Sequence, residues 1–290
     1  MTALAHPWSV HAPCTPRCAA PPTLRARPCD VARRYAALAA TLARVALRGA
    51  ALAAPEVLRA QAHGALAALG IRLEATSARL SVPGTDAGGE HTSTGTHTGA
   101  RPDAATRTGV GTLIVANHIS WIDVLALLAV EPATPLAKRE VRWWPVVGAL
   151  AGRLGTRFID RENLRQLPSA VAGVAGLLRA GHSVLTFPQA TTWCTVAGGR
   201  FRRAVFQAAI DAGAPVRPVT LSYRQYGAPS TCAAFLGEET FGASLRRVAG
   251  ASGLTVHVTP HPALLGRTDR RTLAAAAQRA VHGRELPAHG

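Results

Sequence analysis

Lysine is nearly missing from this chain: Lys138 is the only one, and every other basic side chain is arginine. Alanine is abundant, so this reads as a bias of genomic composition, and only part of the basic balance speaks about partners. That balance is 32 basic against 16 acidic residues, a formal charge of +16. The scarcity of acid favours anionic partners such as lipid headgroups or an acidic carrier protein. Nucleic acid is set aside, because no RNA- or DNA-binding motif accompanies the charge. Aromatic residues are also scarce, at 5%, too few for base-stacking platforms.

Other absences narrow the field further. The cysteines are odd in number: Cys14, Cys18, Cys29, Cys194 and Cys232. They show neither zinc-ligand spacing nor a disulfide framework, so they read as free thiols in a reducing compartment, and no metal is implied. Cys194 has no evident base and reads as a spectator. No Gly-x-Ser-x-Gly elbow occurs, which argues against a nucleophilic-serine hydrolase. The start lacks a basic stretch followed by an unbroken apolar run, so no signal peptide is expected. Arg33, Arg34, Arg44 and Arg48 interrupt the helical pattern of 31–54, which makes a bilayer span there unlikely to form. What the chain has is 290 residues, 48% of them hydrophobic. That is enough for one large domain with a substantial core and excludes a largely disordered chain.

The most informative stretch is 111–123, Gly-Thr-Leu-Ile-Val-Ala-Asn-His-Ile-Ser-Trp-Ile-Asp. Residues 113–116 form a short apolar run bounded by Gly111 and Asn117, the pattern of a buried strand. Ser120 then opens a helix, with Asp123 at capping-box spacing. His118 falls in the turn between strand end and helix start, where its ring can fold back toward Asp123. A carboxylate on one imidazole nitrogen fixes the tautomer and leaves the other nitrogen as a base. By spacing alone, a capping Asp123 beside an ordinary turn histidine is the favoured reading, because turn and cap roles are common.

Asn117-His118-Ile119-Ser120-Trp121-Ile122-Asp123 resembles the first motif of the glycerolipid acyltransferases, the 1-acylglycerol-3-phosphate acyltransferase (PlsC-like) family. That motif is His, four residues, Asp. Further segments are similar too. Lys138-Arg139-Glu140 and Trp144-Pro145-Val146-Val147-Gly148 precede Gly155-Thr156-Arg157-Phe158-Ile159-Asp160-Arg161, which resembles the second motif. Phe187-Pro188-Gln189-Ala190-Thr191 resembles the third, Phe-Pro-Glu-Gly-Thr, with Gln for Glu and Ala for Gly. Pro218, in the strand 215–222, resembles the proline of the fourth. The later stretch and Thr192, where many relatives carry Arg, are closer to the branch acting on lyso-ornithine lipid.

The expected organisation is a disordered tail over 1–30, rich in Pro, Cys and Ala. Two amphipathic helices follow over 31–70, the second opened by Pro55 and closed by Gly70. They read either as a basic membrane-surface segment or as helices packed on the domain. An α/β domain spans 71–285, with a flexible Gly/Thr/Asp-rich insert at 83–109 whose His91 and His97 read as solvated. Strands and helices alternate from Gly111 onward: strands over 113–116, 134–137, 182–186, 215–222 and 254–258, and helices over 164–180, 201–212, 239–249 and 267–282. One or two strands are expected in 71–82. The fold class is α/β, a mixed central sheet flanked by helices behind the two-helix segment.

The resemblance implies an O-acyltransferase moving a fatty acyl group from acyl-CoA or acyl-carrier protein to a lysolipid hydroxyl. His118 is then the base and Asp123 orients it. Arg157, Arg161, Gln189, Thr191 and Pro218 line the substrate site, and Arg200, Arg202 and Arg203 are a further source of positive charge. Acyl-CoA or acyl-carrier protein is a co-substrate, and no resident cofactor is expected. The expected location is the cytoplasmic face of the cell membrane, peripheral or monotopic. Two other classes stay open: a catalytically weakened lipid-binding homologue, motivated by Gln189 and Ala190, and a lipid esterase.

Overall fold

The computed structural model describes residues 10, 12–47, 54–82, 109–143, 148, 151–152, 155–160, 163–265 and 269–283. Arg48, His91, His97, Trp144, Arg161 and the 83–108 part of the expected insert lie outside these residues.

Two helices, α1 (Pro28–Leu47) and α2 (Pro55–Ala68), precede the sheet. Its strands are β1 (Arg72–Ala75), β2 (Leu113–Ala116), β3 (Thr134–Lys138), β4 (Arg157–Ile159), β5 (Val184–Thr186), β6 (Val216–Gln225), β7 (Ala228–Pro229) and β8 (Leu254–Pro260). Interleaved helices are α3 (Ile122–Val130), α4 (Leu167–Arg179), α5 (Ala204–Ala212), α6 (Phe241–Ala249) and α7 (Arg270–His282). The order across the sheet is β1-β8-β6-β2-β5-β3-β4, with β7 added to β6. β2 is parallel to both neighbours, β5 and β6. β3 continues the parallel set between β5 and β4. β8 turns against β6, and β1 follows β8. The sheet is therefore mixed, as the alternation of elements led one to expect.

Every residue of β2 is buried because helices cover the sheet on both sides. On one side Leu58, Ala62 and Leu66 of α2 meet Ile122 and Leu127 of α3. On the other, Val174 and Leu178 of α4 pack with Phe206 of α5 and with Leu273 and Ala277 of α7. This sandwich pushes the polar turns to the ends of the strands, where sites of α/β sheets collect.

The expected disordered tail is corrected by its hydrogen bonds. Between residues 12 and 27 the chain is strapped across the carboxyl end of β6. Thr23 N–H donates to Gln225 Oε1 at 2.9 Å, and Gln225 Nε2 donates to the carbonyls of Leu24 (3.0 Å) and Ser252 (2.8 Å). Ala20 N–H donates to Thr231 Oγ1 (3.0 Å), and Ala26 N–H to the Gly250 carbonyl (2.9 Å). Cys14 and Ala19 are buried against the core. The strap binds mainly through its backbone, so it leaves no apolar periodicity to read.

Only Arg72–Ala75 of 71–82 joins the sheet. The rest is held by side chains: Leu80 N–H meets Glu131 Oε2 (3.3 Å), Arg217 Nε meets the Leu80 carbonyl (3.0 Å), and Val82 N–H meets Thr112 Oγ1 (2.9 Å). α1 also departs from a uniformly basic surface helix. Arg34 points inward, donating to the carbonyls of Ala249 (2.8 Å) and Ala251 (2.5 Å). It lies over Gly70, where an added Cβ would fall 2.4 Å from the guanidinium carbon.

Gln225 is the central tie of the strap and is 3% exposed. Gln225→Leu should cost about 1–3 kcal/mol, since it leaves buried backbone groups unpaired. Limited proteolysis should then cut within 15–27 faster than in the unaltered protein, and chemical denaturation reads the stability loss.

Candidate active site

β2 ends at Asn117 because the Asn side chain takes over the ladder. Asn117 Nδ2 donates to the Leu221 carbonyl (2.9 Å), and Leu221 N–H donates to Asn117 Oδ1 (2.8 Å). The backbone is then free to turn, and His118 stands in that turn, at the carboxyl end of the parallel strands. α3 starts at Ile122, two residues later than the sequence pattern indicated, and Ser120 caps it only through a 3.3 Å bond from Ile122 N–H.

Asp123 does more than cap. It is fully buried, and Oδ2 accepts from the N–H groups of Ile119 (2.7 Å) and Ser120 (2.8 Å). The same oxygen lies 2.8 Å from His118 Nδ1. Oδ1 accepts the Tyr223 hydroxyl from β6 at 2.5 Å. Burial and the adjacent carboxylate hold the Tyr223 phenol well above its ordinary pKa, so it stays protonated and donates. A buried carboxylate is tolerable only when its lone pairs are filled, and here four donors fill them.

Nδ1 of His118 therefore carries its proton toward Asp123, and Nε2 keeps a lone pair. The imidazole is stacked on Phe187, with centroids 4.0 Å apart and planes 15° apart, and its side chain is 22% exposed. This is a histidine fixed in tautomer and orientation, with one basic nitrogen on the accessible side.

The loop after β5 closes the turn from below. Trp193 N–H donates to the His118 carbonyl (2.8 Å), and Gln189 Oε1 accepts from His118 N–H (2.7 Å). Phe235 N–H donates to the Ile119 carbonyl (2.9 Å), and its own carbonyl accepts the Thr192 hydroxyl. Thr192, at the position where many relatives carry Arg, is thus used internally. Ser120 is fully buried, so no serine nucleophile is presented beside His118. Cys194 is no nucleophile either. Burial and the neighbouring Cys14 thiol, 3.5 Å away, push its pKa up to about 12.

The structure brings His118, Asp123, Gln189 and the half-buried Thr191 together, but not all the expected residues. Gln189 is 1% exposed and bonded to His118 N–H inside the protein. Arg157 begins β4, beside Thr134, Gly155, Thr156 and His182 at the amino ends of the strands. With strands about 4.8 Å apart, β4 lies about 14 Å across the sheet from β2, which carries the His118 turn. Pro218 is buried within the β2–β6 ladder opposite Val115, its carbonyl accepting from His261 N–H (2.9 Å). It is tolerated there because β8 pairs with β6 only from Val219 onward. Asp160 pairs with Arg139 (2.8 Å). Arg200, Arg202 and Arg203 are exposed.

Sequence reasoning missed Tyr223, Phe187, Phe235 and Asn117. Asn117 had a signal as the polar residue ending an apolar run, and Phe187 as the first residue of the third motif, but neither was given a role.

Ala190 has φ of 64°, the left-handed region that disfavours a Cβ. Ala190→Gly should therefore raise stability by about 1 kcal/mol. Thermal and denaturant unfolding of the two proteins checks this, and a loss of stability would contradict the strain.

Residues 100–222 match a family model described as Acyltransferase. The chain is 36% identical to the 1-acyl-sn-glycerol-3-phosphate acyltransferase of Neisseria meningitidis, over 51% of this chain and 58% of that protein. It is 37% identical to the lyso-ornithine lipid O-acyltransferase of Pseudomonas aeruginosa, over 58% of this chain and 66% of that one. It thus spans less than two thirds of the length of either relative. Its fold matches the crystal structure of PlsC, the 1-acyl-sn-glycerophosphate acyltransferase of Thermotoga maritima, with a TM-score of 0.52 at 17% identity. That match covers 78% of this chain and 76% of that one. The motif around His118 lies within the matched model, and the chain is similar to 1-acyl-sn-glycerol-3-phosphate and lyso-ornithine lipid acyltransferases.

Proposed function

We propose that this protein transfers a fatty acyl group from acyl-CoA or acyl-carrier protein to the hydroxyl of a lysolipid, 1-acylglycerol-3-phosphate or lyso-ornithine lipid. The observation that carries this reading is the 2.8 Å bond between His118 Nδ1 and Asp123, with the other ring nitrogen left basic. An alcohol is a poor nucleophile until it loses its proton. His118 Nε2 takes that proton as the hydroxyl oxygen attacks the thioester carbonyl carbon. Asp123 stabilises the imidazolium that forms. The tetrahedral intermediate collapses, the C–S bond breaks, and His118 returns the proton to the leaving thiolate. An ester and a free thiol result, with no acyl-enzyme, which suits a site whose serine and cysteine neighbours are buried. Arg161, following Asp160 after β4, is the proposed ligand of the acceptor's anionic headgroup.

His118→Ala should lower acyl transfer by about 10²–10⁴-fold and leave the chain folded, although less stable by the donor that Asp123 loses. A radiolabelled acyl-transfer assay with both lysolipids and both donors measures it. Turnover retained by the purified variant removes His118 from the mechanism. Binding of lysolipid without turnover by the unaltered protein favours a lipid-binding homologue. Release of free fatty acid without an acceptor favours an esterase.

The same reading puts the protein on the cytoplasmic face of a membrane, where lysolipids reside. Among the described residues no helix is long and apolar enough to cross a bilayer. α1 supports a surface contact instead. Its outer face is mostly alanine, with Arg44 and Tyr35 on opposite flanks and Leu47 87% exposed at its end. Arg33 is paired with Asp30, which weakens its call on lipid phosphate. The double variant Leu47→Asp, Arg44→Asp should lose flotation with anionic vesicles while keeping its fold. Flotation equal to that of the unaltered protein would remove α1 from membrane binding.

A further inference from the structure

Gln189 reaches two groups whose chemistry fixes its own orientation. His118 N–H is a backbone group and can only donate. The atom facing it at 2.7 Å must therefore be the amide oxygen, and the amide NH₂ must point the other way. There it meets Nε2 of His282 at 3.4 Å, in the last turn of α7. Two donors cannot face each other. His282 must present a lone pair at Nε2 and, as a neutral ring, carry its proton on Nδ1.

We propose that His282 is a positioning residue for His118: a neutral imidazole, protonated on Nδ1, that holds Gln189 against the backbone of the catalytic turn. The inference rests on the acyltransferase reading of His118 but concerns a residue that touches no substrate.

The surroundings are built for this contact. An added Cβ at Gly198 would fall 2.6 Å from Gln189 Nε2 and 2.3 Å from the Trp193 ring, so the glycine leaves the space the amide occupies. The end of α7 is pinned on two sides. The Thr220 hydroxyl of β6 donates to the Val281 carbonyl (2.7 Å), and Phe201 N–H donates to Gln278 Oε1 (3.0 Å). Phe201 also sets its ring edge-on to the imidazole, at 5.6 Å and 85°. Burial in this setting lowers the pKa of His282, which keeps the ring neutral.

The arrangement also accounts for Gln in a motif that resembles Phe-Pro-Glu-Gly-Thr. A carboxylate at position 189 keeps an acceptor for His118 N–H but turns an oxygen toward His282. That pairing works only if the ring moves a proton to Nε2. Exchange between Gln and Glu here is then a relocation of one proton, with the catalytic turn held in either case.

Nitrogen-detected imidazole NMR on the full chain tests this, with the His282 signals assigned by their loss in His282→Gln. The expected result is the Nδ1–H tautomer in the unaltered protein and a ring protonated on Nε2 in Gln189→Glu. An Nε2–H ring in the unaltered protein, or an unchanged tautomer in Gln189→Glu, overturns the proposal. This readout needs no acyl transfer, so it stands apart from any failure of the functional reading. In the transfer assay, His282→Ala should lower kcat roughly ten-fold at unchanged KM for the lysolipid. His282→Gln, whose amide oxygen can stand in for Nε2, should restore most of the loss. Unchanged kcat in His282→Ala, a change confined to KM, or no rescue by His282→Gln overturns the positioning role.

Discussion

A carboxylate with no water around it dictates much of this architecture. Asp123 has no exposed surface, and leaving such a group short of donors would cost several kcal/mol. The fold meets the demand from three places at once: backbone N–H groups of the turn, the His118 ring, and the Tyr223 hydroxyl from β6. The turn must therefore keep its shape for the carboxylate to stay satisfied, and β6 must stay in register to deliver Tyr223. What orients the imidazole is the same set of contacts that makes a buried charge tolerable. The orientation of His118 and the local stability are one requirement in this site.

That coupling explains why the centre of the site was legible in the sequence and its supports were not. A short apolar run, a histidine and an aspartate at helix-capping distance are local features, and their spacing already contained the geometry. Tyr223 lies a hundred residues further along, and nothing in a strand distinguishes a tyrosine that donates to a carboxylate from one that fills the core. The strap ahead of α1 was misread for a different reason. Its contacts are made by backbone groups, which every sequence possesses, so composition alone made it look unstructured. Arg157 shows a different limit: a cation in a strand is easily assigned to a site, but how many strands separate it from that site is a property of the sheet.

The altered third motif takes on a different character once Gln189 is seen inside the protein. Its neighbour Ala190 accepts a left-handed backbone because the loop is fixed on all sides, by Trp193 to His118, by Thr192 to Phe235 and by Arg202 N–H to the Pro188 carbonyl. Strain retained under such constraint is a property of a rigid platform. The loop holds the His118 turn in place through these bonds, which is a mechanical role.

The order in which the chain closes on itself has a kinetic meaning. The strap near the amino terminus ties to residues about two hundred positions later, and β1 completes the sheet only by pairing with β8. Contacts of such separation carry a large loop-closure cost and form late. During synthesis the early segments emerge long before their partners and must wait with their apolar faces uncovered. The strap and β1 are therefore the segments that wait longest for their partners, and a chaperone would serve as their companion until β6 and β8 arrive.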